Sequence, residues 1–162
     1  PLSKGGLGGD RDWEICEIPW HSTIIPIVAI PDFELSTAEA RRVLPTEYSR
    51  ADAIFNTAHL GLLVRGLETG CGDWLQAALQ DKIHQPYRKA LIKGYDAVRS
   101  AALEAGAYGM VISGAGPTLL ALADATVSSA VVTAMAEAWQ EQGVKALVRS
   151  IPIDFQGARS NT

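Results

Sequence analysis

Cysteine is scarce in this chain, with only Cys16 and Cys71 among 162 residues. The two lack the spacing of a metal-binding pair, and two thiols are too few for a disulfide framework. The three histidines form no metal-binding motif either. We therefore expect two reduced thiols, no metal site in this chain, and a cytosolic protein.

Positive charge is also limited, because 14 lysines and arginines stand against 18 aspartates and glutamates, a net charge of −4. No basic patch is large enough to attract nucleic acid. The uncharged stretch 18–30 contains Pro19 and Pro26, so it cannot cross a bilayer as a helix. With no signal-peptide pattern at the start, we expect a cytoplasmic protein without nucleic-acid or membrane partners.

The length and apolar content favour one globular domain. A chain of 162 residues that is 48% hydrophobic can bury a real core but is short for two domains. Residues 1–10, PLSKGGLGGD, read as a linker or a cut edge, and residues 156–162 read as a frayed tail. The predicted domain spans residues 11–155.

Alternation of apolar and polar residues and β-branched runs predict the strands. The stretch WEICEIP at 13–19 alternates, and STIIPIVAI at 22–30 is apolar and β-branched. Pro26 is therefore expected at an edge or bulge position. Two more strands flank a loop of small residues within 108–124, and a last strand covers 145–153.

Capping residues and apolar spacing predict the helices. The stripe of Ile54, Ala58 and Leu62 should face the core from a long helix. Pro86 should lie in the first turn of another helix, which Gly106 ends. The predicted helices cover about 37–43 after Ser36, 50–67 after Ser49, 74–79, 86–105, and, capped by Thr126, the stretch up to Gly143.

The order of elements is two strands, a block of helices, two strands, a helix and a strand. Strands and helices are segregated, which favours an α+β fold. We expect a mainly antiparallel sheet of four or five strands that helices cover on one face. The last part is similar to half of a ferredoxin-like unit.

A loop of five small residues, Ser113 to Pro117, separates two of the predicted strands. Gly114 and Gly116 permit positive φ angles and a close ligand, and successive exposed amides in such a turn form an anion-binding concavity. The loop matches neither of two familiar phosphate-binding motifs, since no Lys-Ser/Thr follows and the next element is a strand. Its spacing alone leaves open a slightly long β-hairpin without a ligand.

The stretch around this loop, GAYGMVISGAGPTLLAL, resembles the third, C-terminal motif of the GHMP kinases, which phosphorylate small molecules. In that family the loop lies beside the active site, against the phosphate-binding loop of the other domain. The resemblance implies a GHMP kinase C-terminal domain. It places Ser113, Gly114, Ala115 and Gly116 at the active site of an ATP-dependent kinase.

Two further stretches resemble the members of that family that act on L-homoserine. ELSTAEARRVLP at 34–45 is similar to the segment that brings a threonine and an arginine to the substrate. QDKIHQPYRKALIKGY at 80–95 is similar to the segment that supplies a second arginine. The resemblance implies that Thr37, Arg41 and Arg88 bind L-homoserine.

These residue types suit an amino-acid substrate. A planar guanidinium can hold a carboxylate through two parallel hydrogen bonds. Thr37 lies four residues before Arg41, so both point the same way on a helix, whereas Arg42 is expected at the surface. For Asp81 and His84 we expect capping or solvent-exposed roles.

The resemblance extends from about residue 11 to residue 153 and covers only the C-terminal half of such an enzyme. The family's nucleotide loop, P-x-x-x-G-L-G-S-S-A, leads into a helix whose N-terminus faces the phosphates. GGLGGD at 5–10 lacks the Ser-Ser-Ala and leads into a predicted strand. The resemblance therefore implies that the other half holds ATP and Mg²⁺, and that this chain alone is inactive.

Three points stay open at this stage. One alternative is another GHMP kinase that acts on mevalonate: the two arginines favour an amino-acid carboxylate, but mevalonate also carries a carboxylate. A non-catalytic domain that senses an amino acid would fit the same fold. A homodimer is a further open alternative, because Trp139 lies at helical spacing from Met135 but between glutamates 137 and 141.

Overall fold

The core of the molecule is an antiparallel sheet of four strands. The computed structural model describes the backbone of residues 3–5 and 13–15 and all of residues 17–156. Its strands are β1 (Ser3–Gly5), β2 (Trp13–Ile15), β3 (Ile24–Pro31), β4 (Ala107–Ile112), β5 (Leu119–Asp124) and β6 (Ala146–Ser150). The main sheet has the order β4–β5–β3–β6, and its neighbours are antiparallel, as predicted.

The two N-terminal strands pair with each other outside the main sheet. The strand predicted at 13–19 is therefore too long, because β2 ends at Ile15 and residues 17–20 are irregular. β1 lies within residues 1–10, the stretch predicted as a linker or a cut edge. Three parts of the chain lie outside the described residues: the rest of that glycine-rich stretch, Cys16, and residues 157–162 of the predicted tail.

The helices begin largely where the caps predict. They are α1 (Thr37–Arg42), α2 (Arg50–Thr69), α3 (Gly72–Ala78), α4 (Gln85–Arg88), α5 (Tyr95–Glu104) and α6 (Ser128–Glu141). The hydroxyls of Ser36 and Ser49 accept hydrogen bonds from the first turns of α1 and α2. Among the helices of the described residues, none combines the length and apolarity needed to cross a bilayer.

The start of α6 differs from the prediction. Val127 is the N-cap of this helix and makes no capping hydrogen bond through its side chain. The hydroxyl of Thr126 instead donates to the Asp124 carboxylate at 2.7 Å. The predicted Thr126 cap is therefore wrong, because the neighbouring carboxylate takes the hydroxyl and leaves it one residue short of the helix.

Helices α5 and α6 cover one face of the sheet. Their apolar side chains pack on alternate residues of β3, β4 and β5 in the larger of two buried clusters. Trp139 of α6 is fully buried there, and its indole Nε1 donates to the Lys93 carbonyl at 2.9 Å. Because Trp139 lies inside this layer, it offers no surface to a partner chain.

A second pair of helices, α2 and α3, packs on the opposite face. Ile24 of β3 and Leu122 of β5 form a separate buried cluster with Leu75 of α3, since successive strand residues face opposite sides. A Cβ on Gly66 of α2 would lie 2.9 Å from the Leu75 side chain, so glycine permits this close packing. The α+β class is confirmed, and the structure adds a second covered face to the predicted one.

The apolar stripe predicted for α2 is not the face that packs. Ile54 is 58% exposed, and Ala58 is exposed as well. The packed face instead carries Leu63 and Leu67, which contact the second cluster. The close approach of Gly66 to Leu75 determines which face of α2 is turned toward the sheet. The spacing of apolar residues along α2 does not contain this information.

The single helix predicted from Pro86 to Ala105 is three shorter elements. Pro86 lies in the first turn of α4, as predicted, but α4 ends at Arg88 and a 3₁₀ turn follows at Lys89–Leu91. Gly94 then adopts a left-handed conformation with φ of 79°. This backbone reversal ends the helical run and starts α5 in a new direction.

Pro26 was predicted at an edge or bulge position, but it lies in an interior strand. β3 pairs with β5 on one side and with β6 on the other, where the paired residues begin at Ile27 and Ser150. The carbonyl of Pro26 accepts from the Ile151 amide at 3.0 Å, so its nitrogen also faces the end of β6. The missing N–H is tolerated because the ladder stops there.

Candidate active site

The glycine loop between β4 and β5 is a tight turn closed by its own backbone. The Ser113 amide donates to the Thr118 carbonyl at 2.9 Å, and the Gly116 amide donates to the Ser113 carbonyl at 3.0 Å. Gly114 and Gly116 have φ angles of 59° and 89°, a region that favours glycine. The five small residues are therefore needed for a backbone that reverses twice.

The two glycines have different surroundings. A Cβ on Gly116 would lie 3.2 Å from side-chain atoms of Ile112 and Ile92, whereas a Cβ on Gly114 would meet nothing within 4 Å. Gly116 is thus packed against the body of the domain, near Leu35 just before α1. Gly114 is exposed and leaves open space above the loop.

Two successive amides of the loop remain free for a ligand. Within the described part of the chain, the N–H groups of Gly114 and Ala115 have no hydrogen-bond partner. Neighbouring amides in a turn of this kind form a concavity that suits an anion. The loop can therefore bind an oxyanion without using a charged side chain.

Arg88 joins the glycine loop to α1. Its Nε donates to the Ala40 carbonyl at 3.1 Å, and its Nη1 donates to the Gly114 carbonyl at 3.0 Å. The side chain is half-buried. Because a guanidinium has five N–H donors, three of them have no partner among residues 17–156 and are available to a ligand.

The other two predicted substrate residues lie on α1. Thr37 and Arg41 are exposed, and neither side chain has a hydrogen-bond partner within residues 17–156. Arg88 contacts α1 through the carbonyl of Ala40, the residue directly before Arg41. The structure thus brings Arg88 to the glycine loop and places α1 beside both, while a substrate role for Thr37 and Arg41 stays a prediction.

A cleft of about 370 Å³ lies between α4 and the end of β4. Arg88 and Gly114 line it together with Asp81, His84, Gln85, Val111 and Ile112. Its size suits a small polar molecule, because one water occupies roughly 30 Å³. The cleft joins the predicted glycine loop to the predicted substrate arginine.

Asp81 organises the wall of this cleft and has its acceptor oxygens occupied. It accepts hydrogen bonds from the backbone amides of Ile83, His84 and Gln85, and from Nδ2 of Asn56 on α2. Burial raises the pKa of Asp81, but these hydrogen bonds outweigh burial and leave the pKa below its ordinary value. The predicted capping role is confirmed.

Gln85 is the residue of this site that sequence reasoning missed. Its Oε1 accepts from the Ile112 amide at 3.1 Å and from Tyr95 Oη at 3.2 Å. Burial raises the pKa of Tyr95, so the phenol keeps its proton and donates. A signal existed, since Gln85 precedes Arg88 by three residues and so lies on the same side of α4.

The described residues do not form a metal centre. No group of three or more His, Cys, Asp or Glu side chains within residues 17–156 could hold a metal ion. The one acidic residue of the cleft, Asp81, already accepts four hydrogen bonds. These residues do not fit a Mg²⁺ site, and no step at this cleft is assigned to one.

Comparisons with known proteins agree with the fold. The family model described as GHMP kinases C terminal matches residues 63–141. A homoserine kinase from a Nostoc species is 74% identical over 150 residues, which cover 93% of this chain and 50% of that protein. A homoserine kinase from Trichormus variabilis is 73% identical with the same coverage.

A solved structure of a homoserine kinase is also similar to this chain. The crystal structure of homoserine kinase from Cytophaga hutchinsonii superposes with a TM-score of 0.84 at 29% identity, over 90% of this chain and 46% of that one. The chain therefore has the fold of a GHMP kinase C-terminal domain. Within the family its sequence is similar to homoserine kinases, and it spans about half the length of the curated relatives it matches.

Proposed function

We propose that this chain is the acceptor-binding half of an ATP-dependent homoserine kinase. The whole enzyme would transfer the γ-phosphate of ATP to the side-chain hydroxyl of L-homoserine, a step of threonine biosynthesis. The observation that carries the proposal is the position of Arg88, which bridges α1 and the glycine loop and keeps three N–H groups for a ligand. The identity of 74% to a homoserine kinase supports it.

The acceptor would be held by its α-carboxylate. The free N–H groups of Arg88 and the exposed guanidinium of Arg41 can bind such a group through charge-assisted hydrogen bonds. The hydroxyl of Thr37 would contact the same ligand. Binding at the carboxylate end would leave the side-chain hydroxyl, at the other end of the molecule, free to meet the γ-phosphate.

The glycine loop would contribute to charge stabilisation. In phosphoryl transfer, negative charge spreads over the oxygens of the transferred group, so catalysis depends on positioning and electrostatics. The free amides of Gly114 and Ala115 can donate to such oxygens. They are pre-organised, because the turn holds them through its own backbone hydrogen bonds.

ATP and Mg²⁺ would be held mainly by residues outside this chain. When bound, Mg²⁺ neutralises charge on the phosphates. The division of labour is therefore that this half binds the acceptor and covers the phosphates with its glycine loop. We also expect a cytoplasmic location, and a homodimer stays a prediction.

A substrate panel on the full-length enzyme tests the proposal. ATP-dependent phosphorylation should be measured with L-homoserine and with mevalonate under the same conditions. We expect turnover of L-homoserine only. Turnover of mevalonate alone would assign the site to another acceptor, and binding of L-homoserine without phosphorylation would identify a sensor domain.

A further inference from the structure

The edge of the main sheet explains why Gln85 is placed where it is. β4 is an edge strand, and the outward amides of an edge strand need a partner when they are not in water. Ser113 donates toward β5, to the Thr118 carbonyl. Since successive residues of a strand alternate in direction, the Ile112 amide points outward, away from the sheet.

Gln85 supplies the partner for this outward amide. Its Oε1 accepts from the Ile112 amide and from Tyr95 Oη. A backbone amide can only donate, so the oxygen of the Gln85 side chain, and not its nitrogen, must face Ile112. One side-chain carbonyl thus ties the last residue of β4 to the start of α5.

The same short helix holds the loop at a second point. Arg88, three residues after Gln85 on α4, donates to the Gly114 carbonyl at 3.0 Å. The backbone N–H of Gln85 donates to the Asp81 carboxylate. Asn56 of α2 also donates to that carboxylate, which ties α4 to α2. The glycine loop is therefore fixed from both sides of Ser113 by a helix that is itself tied to α2.

We propose that Gln85 is a positioning residue for phosphoryl transfer, because it sets where the free amides of Gly114 and Ala115 lie. This inference rests on the proposed function. Gln85 acts through the loop, so its loss should lower kcat more than it raises KM for L-homoserine. A displacement of about 1 Å can reduce a rate on the order of 10²-fold.

The test compares variants of the full-length enzyme in kinetics and in amide exchange. Gln85→Met keeps the length of the side chain but removes the acceptor, and Gln85→Glu keeps an acceptor oxygen for both donors. Gln140→Met, at an exposed glutamine of α6, is the matched control. Hydrogen exchange of the Ile112 amide and of the peptide over 111–118 reports on the loop without any substrate.

For Gln85→Met we expect a fall in kcat of about 10²-fold, a KM for L-homoserine within about threefold of wild type, and faster exchange at Ile112. Gln85→Glu should recover most of the protection at Ile112 but only part of the rate, because it adds a negative charge beside the loop. If Gln85→Met does not fold, Gln85→Asn, whose amide is too short to reach Ile112, replaces it with the same expectation.

Two outcomes overturn the inference. One is that Gln85→Met matches Gln140→Met in kcat and in exchange. The other is that Gln85→Met exchanges faster at Ile112 but keeps the wild-type kcat. If wild-type enzyme does not phosphorylate L-homoserine, the proposed function fails by itself, and the exchange data still decide whether Gln85 holds the loop.

Discussion

Arg88 combines a structural role with the proposed binding role in one planar group. Two of its N–H groups hold backbone carbonyls of Ala40 and Gly114, which fixes the plane of the guanidinium. The remaining donors are then held in a defined orientation, which suits the proposed ligand. Lysine cannot reproduce this arrangement, because an ammonium has three donors and no fixed plane.

Arg88→Lys in the full-length enzyme should reduce kcat/KM for L-homoserine by about 10- to 100-fold, the range that corresponds to one lost charge-assisted hydrogen bond. Steady-state kinetics measure this change. Arg42→Lys is the control, because Arg42 is exposed on α1 and keeps its charge. Equal kinetics for the two variants would remove Arg88 from the substrate site.

The two loop glycines should respond differently to alanine. Gly114→Ala meets only open space, so it should lower the free energy of unfolding by about 1 kcal/mol, the conformational cost of a positive φ. Gly116→Ala has the same cost and also places a Cβ 3.2 Å from Ile112 and Ile92, so it should destabilise more. Urea unfolding of the full-length protein measures both, and the reverse order would contradict this packing.

At the scale of elements, the four-residue helix α4 connects several other parts of the domain. A helix of this length is not stable alone, so its position depends on tertiary contacts. Asp81 caps its N-terminus, while Gln85 and Arg88 reach β4, the glycine loop and α1. Contacts with its neighbours, and not helix propensity, therefore hold the wall of the cleft.

Asp81→Asn should lower the free energy of unfolding by about 1.5–3 kcal/mol at neutral pH, the usual contribution of hydrogen bonds to a charged group. The pKa of Asp81 in the folded chain lies below its ordinary value of 3.8. Its stabilisation is thus complete above about pH 4 and is lost as pH falls through the folded pKa. The difference in the free energy of unfolding between wild type and variant should shrink below pH 4 in urea titrations.

Asp73→Asn, at an exposed position of α3, is the control. A free-energy difference for Asp81→Asn that grows as the pH falls would refute the assignment.

At the scale of the whole molecule, the proposed function assigns one wall of an active site to this chain. The glycine loop, α1 and Arg88 form that wall, and the chain spans half the length of its homoserine kinase relatives. Exposed apolar side chains of α2 include Ile54 at 58% and Leu60 at 61%. Under the proposed function, ATP would bind to a second wall formed by the other half of the enzyme.

The isolated chain should therefore show no phosphorylation of L-homoserine, while the full-length enzyme is active under the same conditions. A coupled assay of ADP release measures both, with circular dichroism to confirm that the isolated chain is folded. ATP-dependent product formation by the folded isolated chain would refute the division of labour between the two halves.

Local signals predicted much of the site. The glycine spacing of the loop, the Ser36 cap of α1 and Pro86 in the first turn of α4 were all readable, because each depends on a few neighbouring residues. Gln85 was missed because its partners, Ile112 and Tyr95, are distant in sequence. The prediction of which face of α2 packs on the sheet was also wrong, because Ile54 and Leu63 are equally apolar in the sequence.

The sequence by itself determined the four strands of the main sheet and most of the helix starts, the α+β class, the resemblance to the GHMP kinases, and the residue types that suit a carboxylate and a phosphate. Only the tertiary structure decided that Arg88 reaches both Ala40 and Gly114, that Gln85 holds the edge of β4, and that α2 and α3 cover a second face. The physical reason is range. Caps, turns and alternation act within a few residues, whereas the cleft forms from side chains that meet only after the chain has folded.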